Sequence, residues 1–132
     1  MLVLYDRDCG FCRVCLAVLL SWDRRGRLAP LALQDGRAAE LLPGIDEQAR
    51  MRSWHVVDGG AVRSAGAAFE PVLAVLPGGA PLARLARHAA GPLDAGYRWV
   101  AEHRTELGRV VPGTARSWAD AVIARRARTV AS

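Results

Sequence analysis

Three cysteines, Cys9, Cys12 and Cys15, fall at every third position of the stretch DCGFCRVC, directly behind a short apolar run, and no other cysteine follows. Two thiols separated by two residues can cycle between dithiol and disulfide. Thiols at such spacing can also hold a metal, and a free cysteine can simply pack as a small hydrophobe.

What Cys9 and Cys12 can do depends on the element beneath them. Leu2 to Tyr5 is a β-branched and aromatic run of strand length, Asp6 to Gly10 a turn, and FCRVCLAVLLSWDRRG a helix. Cys9 then stands at the helix start, where unpaired N–H groups and the positive end of the dipole favour a thiolate. The thiolate is the form that attacks a disulfide. Cys12, one turn on, can close an intramolecular disulfide and resolve a mixed one. Arg7 and Arg13 would favour the thiolate, whereas Asp6 and Asp8 would oppose it. Asp6, leaving the strand, is the better candidate to accept the resolving thiol's proton; alternatively it is a turn residue bonding its own backbone. Cys15 falls within the apolar periodicity of Phe11, Val14, Val18, Leu19 and Trp22, which predicts a buried bystander.

Metal chemistry is poorly supplied. Three cysteines cannot furnish a four-cysteine iron–sulfur cluster, and a zinc ribbon expects a second CxxC knuckle. A zinc site built from Cys9, Cys12 and a distant histidine stays open. His55, His88 and His103 make no HxxxH pair. His55 is expected in a strand as a hydrogen-bonded, partly buried imidazole, and His88 and His103 on solvated helix faces. Nothing marks one histidine as the base of a Cys–His enzyme.

Further along, Arg27 to Leu33 reads as a second strand, with Pro30 implying an edge or an irregular start. Gln34 to Leu42 reads as a short helix, and Asp46 to Met51 as one more turn. Ser53 to Val57, DGG and Ala61 to Ser64 form a tight antiparallel hairpin. Ala67 to Leu76 is helical, with Pro71 forcing a late start or a kink. The last third is helical throughout: Pro81 and Pro92 sit in first turns, and Gly91 and Gly108 are stops. Leu82, Leu85 and Ala86 share one face to be buried. A final helix is expected over 115–128, with Ser117 and Asp120 spaced as a capping box.

This order predicts a thioredoxin-like α/β domain: a four-stranded mixed sheet flanked by helices, the first two strands parallel through a right-handed crossover. Residues 1–78 form the core and residues 79–132 a C-terminal helical extension packed on the same domain. A chain of 132 residues suits one domain with its own core. Its net charge of +5 rests entirely on arginine, scattered rather than clustered, which points to compositional bias more than to a nucleic-acid or membrane patch. No apolar run approaches spanning length and Met1 to Leu4 is too short for a signal peptide, so a cytoplasmic location and no stable membrane insertion are expected.

The stretch LYDRDCGFC resembles the opening motif of the DCC family of thiol-disulfide oxidoreductases, Asp-x-x-Cys-x-x-Cys, here Asp6, Cys9 and Cys12. The hairpin WHVVDGGAVRSAG, the segment VLPG at 75–78, and YRWVAEHR with Tyr97, Ala101 and Arg104 extend the resemblance over roughly residues 1 to 108. It implies a thioredoxin-like fold and dithiol–disulfide activity at Cys9 and Cys12. Thioredoxins proper place a cis-proline before the hairpin, facing the cysteines, in a loop that shapes the substrate-peptide groove. The corresponding residues here are Met51, Arg52 and Ser53. The expected function is thiol–disulfide exchange, with Cys9 attacking, Cys12 resolving, no bound cofactor or metal, no nucleic acid, and a protein or small-thiol substrate. A zinc-binding module using the CxxC as half a site, for example at a homodimer interface, and a non-catalytic interaction domain with an anionic partner are the alternatives. Oligomeric state is left open.

Overall fold

The computed structural model describes residues 1–131. Its elements run β1 (Leu2–Tyr5), α1 (Gly10–Trp22), β2 (Ala29–Ala32), α2 (Gly36–Leu41), α3 (Glu47–Arg52), β3 (His55–Asp58) and β4 (Ala61–Ser64). A 3-10 turn (Ala65–Ala68) leads into α4 (Phe69–Val75), followed by α5 (Ala80–His88), α6 (Ala90–Arg109) and α7 (Gly113–Ala131).

The four strands form one mixed sheet in the order β2-β1-β3-β4. β1 and β2 are parallel, with Leu2 opposite Ala29 and Tyr5 opposite Ala32; β3 is antiparallel to both β1 and β4. This is the thioredoxin-like arrangement. Pro30 is accommodated because β2 is an edge strand. The hairpin turns on Gly59 and Gly60, whose φ values of +56° and +88° are the paired left-handed conformations a two-residue turn requires.

Alternation along β1 divides the core. Val3 and Tyr5 face one layer with Leu16, Ala17 and Leu20 of α1, Val72 of α4, and Ala119, Val122 and Ile123 of α7. Leu4 faces the other with Leu31, Leu33, Ala38 and Leu42. α7 therefore completes the main core, lying against α1. A second tie is ionic. Asp23 is fully buried, accepts the N–H groups of Arg27 and Leu28, and is met by Arg126 of α7 at 2.6 Å. Arg126 also donates to the carbonyls of Leu28, Leu20 and Asp23, so one side chain closes the whole α1–β2 connection.

Several expectations need correction. α1 buries Leu16, Ala17 and Leu20, whereas Val18 is 53% exposed and Cys15 is exposed rather than buried. The helix is apolar nearly all round, so its periodicity admits more than one stripe, and α7 and the sheet select another. α5 buries Ala83 against α4 and leaves Leu82 and Leu85 exposed. Gly91 falls in the first turn of α6 rather than stopping a helix. α7 starts at Gly113, which places Ser117 inside it, and Asp120 pairs with Arg13 at 3.1 Å instead of capping. Pro71 sits in the first turn of α4, the late start its ring demands.

Candidate active site

Cys9 is the N-cap of α1, with extended φ and ψ of −93° and 109°. That geometry turns its side chain back over the first turn, and Cys9 Sγ accepts the backbone N–H of Cys12 at 3.2 Å. The sulfur takes the place an oxygen fills at most caps, satisfying an orphan donor of the helix. A hydrogen bond to the charged form lowers a pKa. The Cys9 thiol is brought from 9.0 down to about 6, chiefly by hydrogen bonding from the Cys12 side chain; burial opposes this, and the Cys12 amide and Arg104 assist. Cys12 is shifted strongly upward by the same sulfur–sulfur contact and by burial, so it remains a thiol. The pair is thus split into a sulfur with a depressed pKa and a protonated neighbour, both free. Cys15, although exposed, also has a raised pKa, from desolvation first and then from the Cys9 charge.

Asp6 directly follows β1 and takes the turn role expected of it. Its Oδ1 accepts the N–H of Asp8 at 3.0 Å, an Asx turn, and the Gln34 side-chain amide at 2.7 Å. Gln34 Oε1 in turn accepts the N–H of Arg7. Gln34 escaped sequence reasoning, although it follows β2 as Asp6 follows β1, and the parallel register brings the two together.

The junction between α3 and β3, lacking a proline, is held by α6. Arg104 donates to the Met51 carbonyl at 2.6 Å and comes within 3.8 Å of Asp6 Oδ2. Tyr97 Oη accepts the N–H of Trp54 at 2.9 Å, and burial raises its own pKa to about 12. Trp54 packs on Phe69, and Phe69 on Tyr97, with centroids 4.9 and 5.9 Å apart. The Trp54 indole donates to the carbonyl of Ala65, which adopts a left-handed φ of +54° that is uncommon for alanine. Next to it, Gly66 lets α6 approach: a Cβ there would lie 2.6 Å from Asp94 Cα. The hairpin motif and the Tyr97–Arg104 motif therefore meet in space beside the cysteines.

Between α1, this junction and α6 lies a cleft of about 510 Å³, lined mostly by apolar residues and carrying Cys12 and Cys15 on its α1 wall. Asp6 and Arg104 are the two charged residues among the described ones that line it. The histidines lie elsewhere. His55 is 2% exposed and bonded to Ser64 and to the Arg50 carbonyl, as a strand histidine should be. His88 is exposed, whereas His103 is only partly so, bonding the Trp99 carbonyl and stacking on that indole. Among the described residues, no three His, Cys, Asp or Glu side chains gather as a metal site. No helix of the described residues is long and apolar enough to cross a membrane.

Comparison with known proteins agrees with this geometry. The family model of the DCC1-like thiol-disulfide oxidoreductases matches residues 3–110, and the chain belongs to that family. No curated protein and no solved structure matches it.

Proposed function

We propose that this member of the family exchanges two electrons with thiol and disulfide substrates through Cys9 and Cys12. The observation that carries this most directly is the capping contact of Cys9 Sγ on the Cys12 amide, with the thiolate pKa of about 6 that accompanies it. At neutral pH such a sulfur is mostly ionised.

The Cys9 thiolate attacks one sulfur of RS–SR′. A Cys9–S–SR bond forms, the S–S bond breaks, and R′S⁻ leaves to take a proton from water. Cys12 then loses its proton to the Asp6 carboxylate and attacks Cys9 Sγ, forming the Cys9–Cys12 disulfide and expelling RS⁻. The substrate is reduced by two electrons and the protein oxidised by two; the reverse sequence oxidises a dithiol. No bound cofactor enters any step. What supports this role for Asp6 is that it lines the same cleft as Cys12 and that its charge acts on the Cys12 thiol, while Gln34 and the Asp8 amide hold the carboxylate in place. We further propose a cytoplasmic location, where the pair would be returned to the dithiol between turnovers.

Equilibration in dithiothreitol redox buffers, followed by alkylation and peptide mapping, tests this. A single two-electron transition with Cys9 bonded to Cys12 and Cys15 alkylated is expected. A Cys12–Cys15 disulfide would overturn the assignment of roles.

A further inference from the structure

The cleft beside the cysteines is larger than the exchange chemistry needs. Its volume of about 510 Å³ exceeds what one side chain fills, and lies within the roughly 300–1,000 Å³ of sites that enclose small molecules. Phe11, Leu16, Trp54, Phe69, Leu93 and Val100 make its surface apolar, and Cys12 places the resolving sulfur on its wall. The neighbouring junction, meanwhile, is poorly prepared for a peptide. An extended chain docks by pairing with free backbone groups. Here the Met51 carbonyl is taken by Arg104 and the Trp54 amide by Tyr97.

We infer that the cleft is the substrate pocket and selects a low-molecular-weight disulfide, or its thiol, carrying an apolar aromatic or branched aliphatic group. This presupposes the Cys9 chemistry proposed above. The apolar group enters between α1 and α6, and the reacting sulfur remains at the mouth, where Cys9 attacks it. After Cys9–S–SR has formed, the buried group holds that mixed disulfide beside Cys12. Cys12, its proton passed to Asp6, displaces RS⁻ from Cys9 Sγ, and RS⁻ takes a proton from water as the apolar thiol leaves.

Gly96 offers a selective test. It lines the cleft from within α6, and a Cβ at this position meets no atom within 4 Å, so Gly96→Leu adds apolar bulk at the cleft wall without a backbone clash. Leucine also suits a helix interior better than glycine. Rates of Cys9 mixed-disulfide formation are compared for dibenzyl disulfide and bis(2-hydroxyethyl) disulfide, each normalised to its rate with N-acetylcysteine. A preference of about tenfold or more for the benzyl compound is expected in the native protein, falling to about twofold or less in Gly96→Leu. Near-UV circular dichroism checks the variant's fold. Bibenzyl, which has the same rings and no sulfur, should bind the native protein in calorimetry and compete with dibenzyl disulfide. Active exchange with no benzyl preference and no competition by bibenzyl overturns the inference, as does faster reaction with a disulfide-bearing extended peptide. Should no disulfide react at all, the exchange chemistry fails instead. Bibenzyl binding lost in Gly96→Leu would then still identify the pocket, and absent binding would overturn it.

Discussion

The Arg104 guanidinium, on the sixth helix, donates to the Met51 carbonyl at 2.6 Å, in the last turn of the third helix, at the position where thioredoxins proper carry a proline. The same group lowers the pKa of Cys9 and stands 3.8 Å from Asp6. It therefore serves two purposes, fixing that turn and adding positive potential at the thiolate. Replacing it by methionine keeps much of the stem and removes both effects. In Arg104→Met the midpoint of the Cys9 alkylation profile should move upward from about 6. Arg104→Lys should recover part of that shift, because the charge returns without the fork that reaches Met51. An unchanged midpoint in Arg104→Met would confine Arg104 to a structural part.

Alkylation should separate the three thiols. Cys9 is expected to react with iodoacetamide with a midpoint near pH 6, well ahead of Cys12 and Cys15. Cys15 is the informative control. It is exposed, but its pKa is raised, so access alone would make it fast and ionisation keeps it slow. Cys12→Ser should leave Cys9 accumulating mixed disulfides. Equal rates for all three thiols in the folded protein would remove the basis for calling Cys9 the nucleophile.

Asp6→Asn should leave the first half-reaction nearly unchanged and slow the second. The Asp6 charge opposes the Cys9 thiolate, so removing it slightly lowers the Cys9 pKa and preserves the first attack. The same change deletes the proposed proton acceptor for Cys12, and resolution of the mixed disulfide should slow by about 10²-fold or more. Stopped-flow measurement of the two phases distinguishes these effects. Slowing of both phases equally would indicate that Asp6 only shapes the turn.

The first half of the fold was legible because its signals are local. A short apolar strand, a turn, a helix with cysteine at its start and a DGG hairpin each specify themselves. The position of Cys9 at the helix start followed from that order, since the first helix begins where the first strand and turn end. What escaped was set by packing over long separations. Cys15 was misplaced because the first helix offers apolar residues on several sides, and only the seventh helix and the sheet decide which are covered. Gln34 meets Asp6 through parallel strand register, and Arg126 reaches Asp23 from 103 residues away. The resemblance had singled out Tyr97 and Arg104, but their targets, Trp54 and Met51, were visible only once the helices were placed.

Thiolate stabilisation should also appear as redox-dependent stability. Cys9 has a folded pKa near 6, depressed from its ordinary 9.0, so the reduced folded protein binds fewer protons at this site than the reduced unfolded chain. That stabilisation is complete only above the unfolded value and is lost as pH falls through 6. The oxidised form has no thiolate and lacks it. The thermal midpoint of the reduced protein, relative to the oxidised one, should therefore rise between pH 6 and pH 8. At higher pH the raised Cys12 pKa counts in the opposite sense, because the unfolded chain then releases a proton that the folded one retains. A difference between the two midpoints that stays flat over this range would show that Cys9 is not a stabilised thiolate.

The pairing of Arg126 with Asp23 should dominate the anchoring of the seventh helix. Burial pushes the Asp23 carboxyl upward, but the N–H groups of Leu28 and Arg27, together with Arg126, overcome it and leave the pKa depressed. Stability from this group is accordingly present above its unfolded value and is lost as pH falls through the folded one. In Arg126→Met, a fully buried carboxylate keeps two backbone donors and loses its cation. Breaking such a pair from one side costs about 3–5 kcal/mol. Urea unfolding at neutral pH should show a loss of that size. Adding Asp23→Asn should recover part of it, because the uncompensated charge is gone and the two changes are not additive. A cost below about 1 kcal/mol, typical of exposed ion pairs, would mean that the seventh helix is held chiefly by the packing of Ala119, Val122 and Ile123.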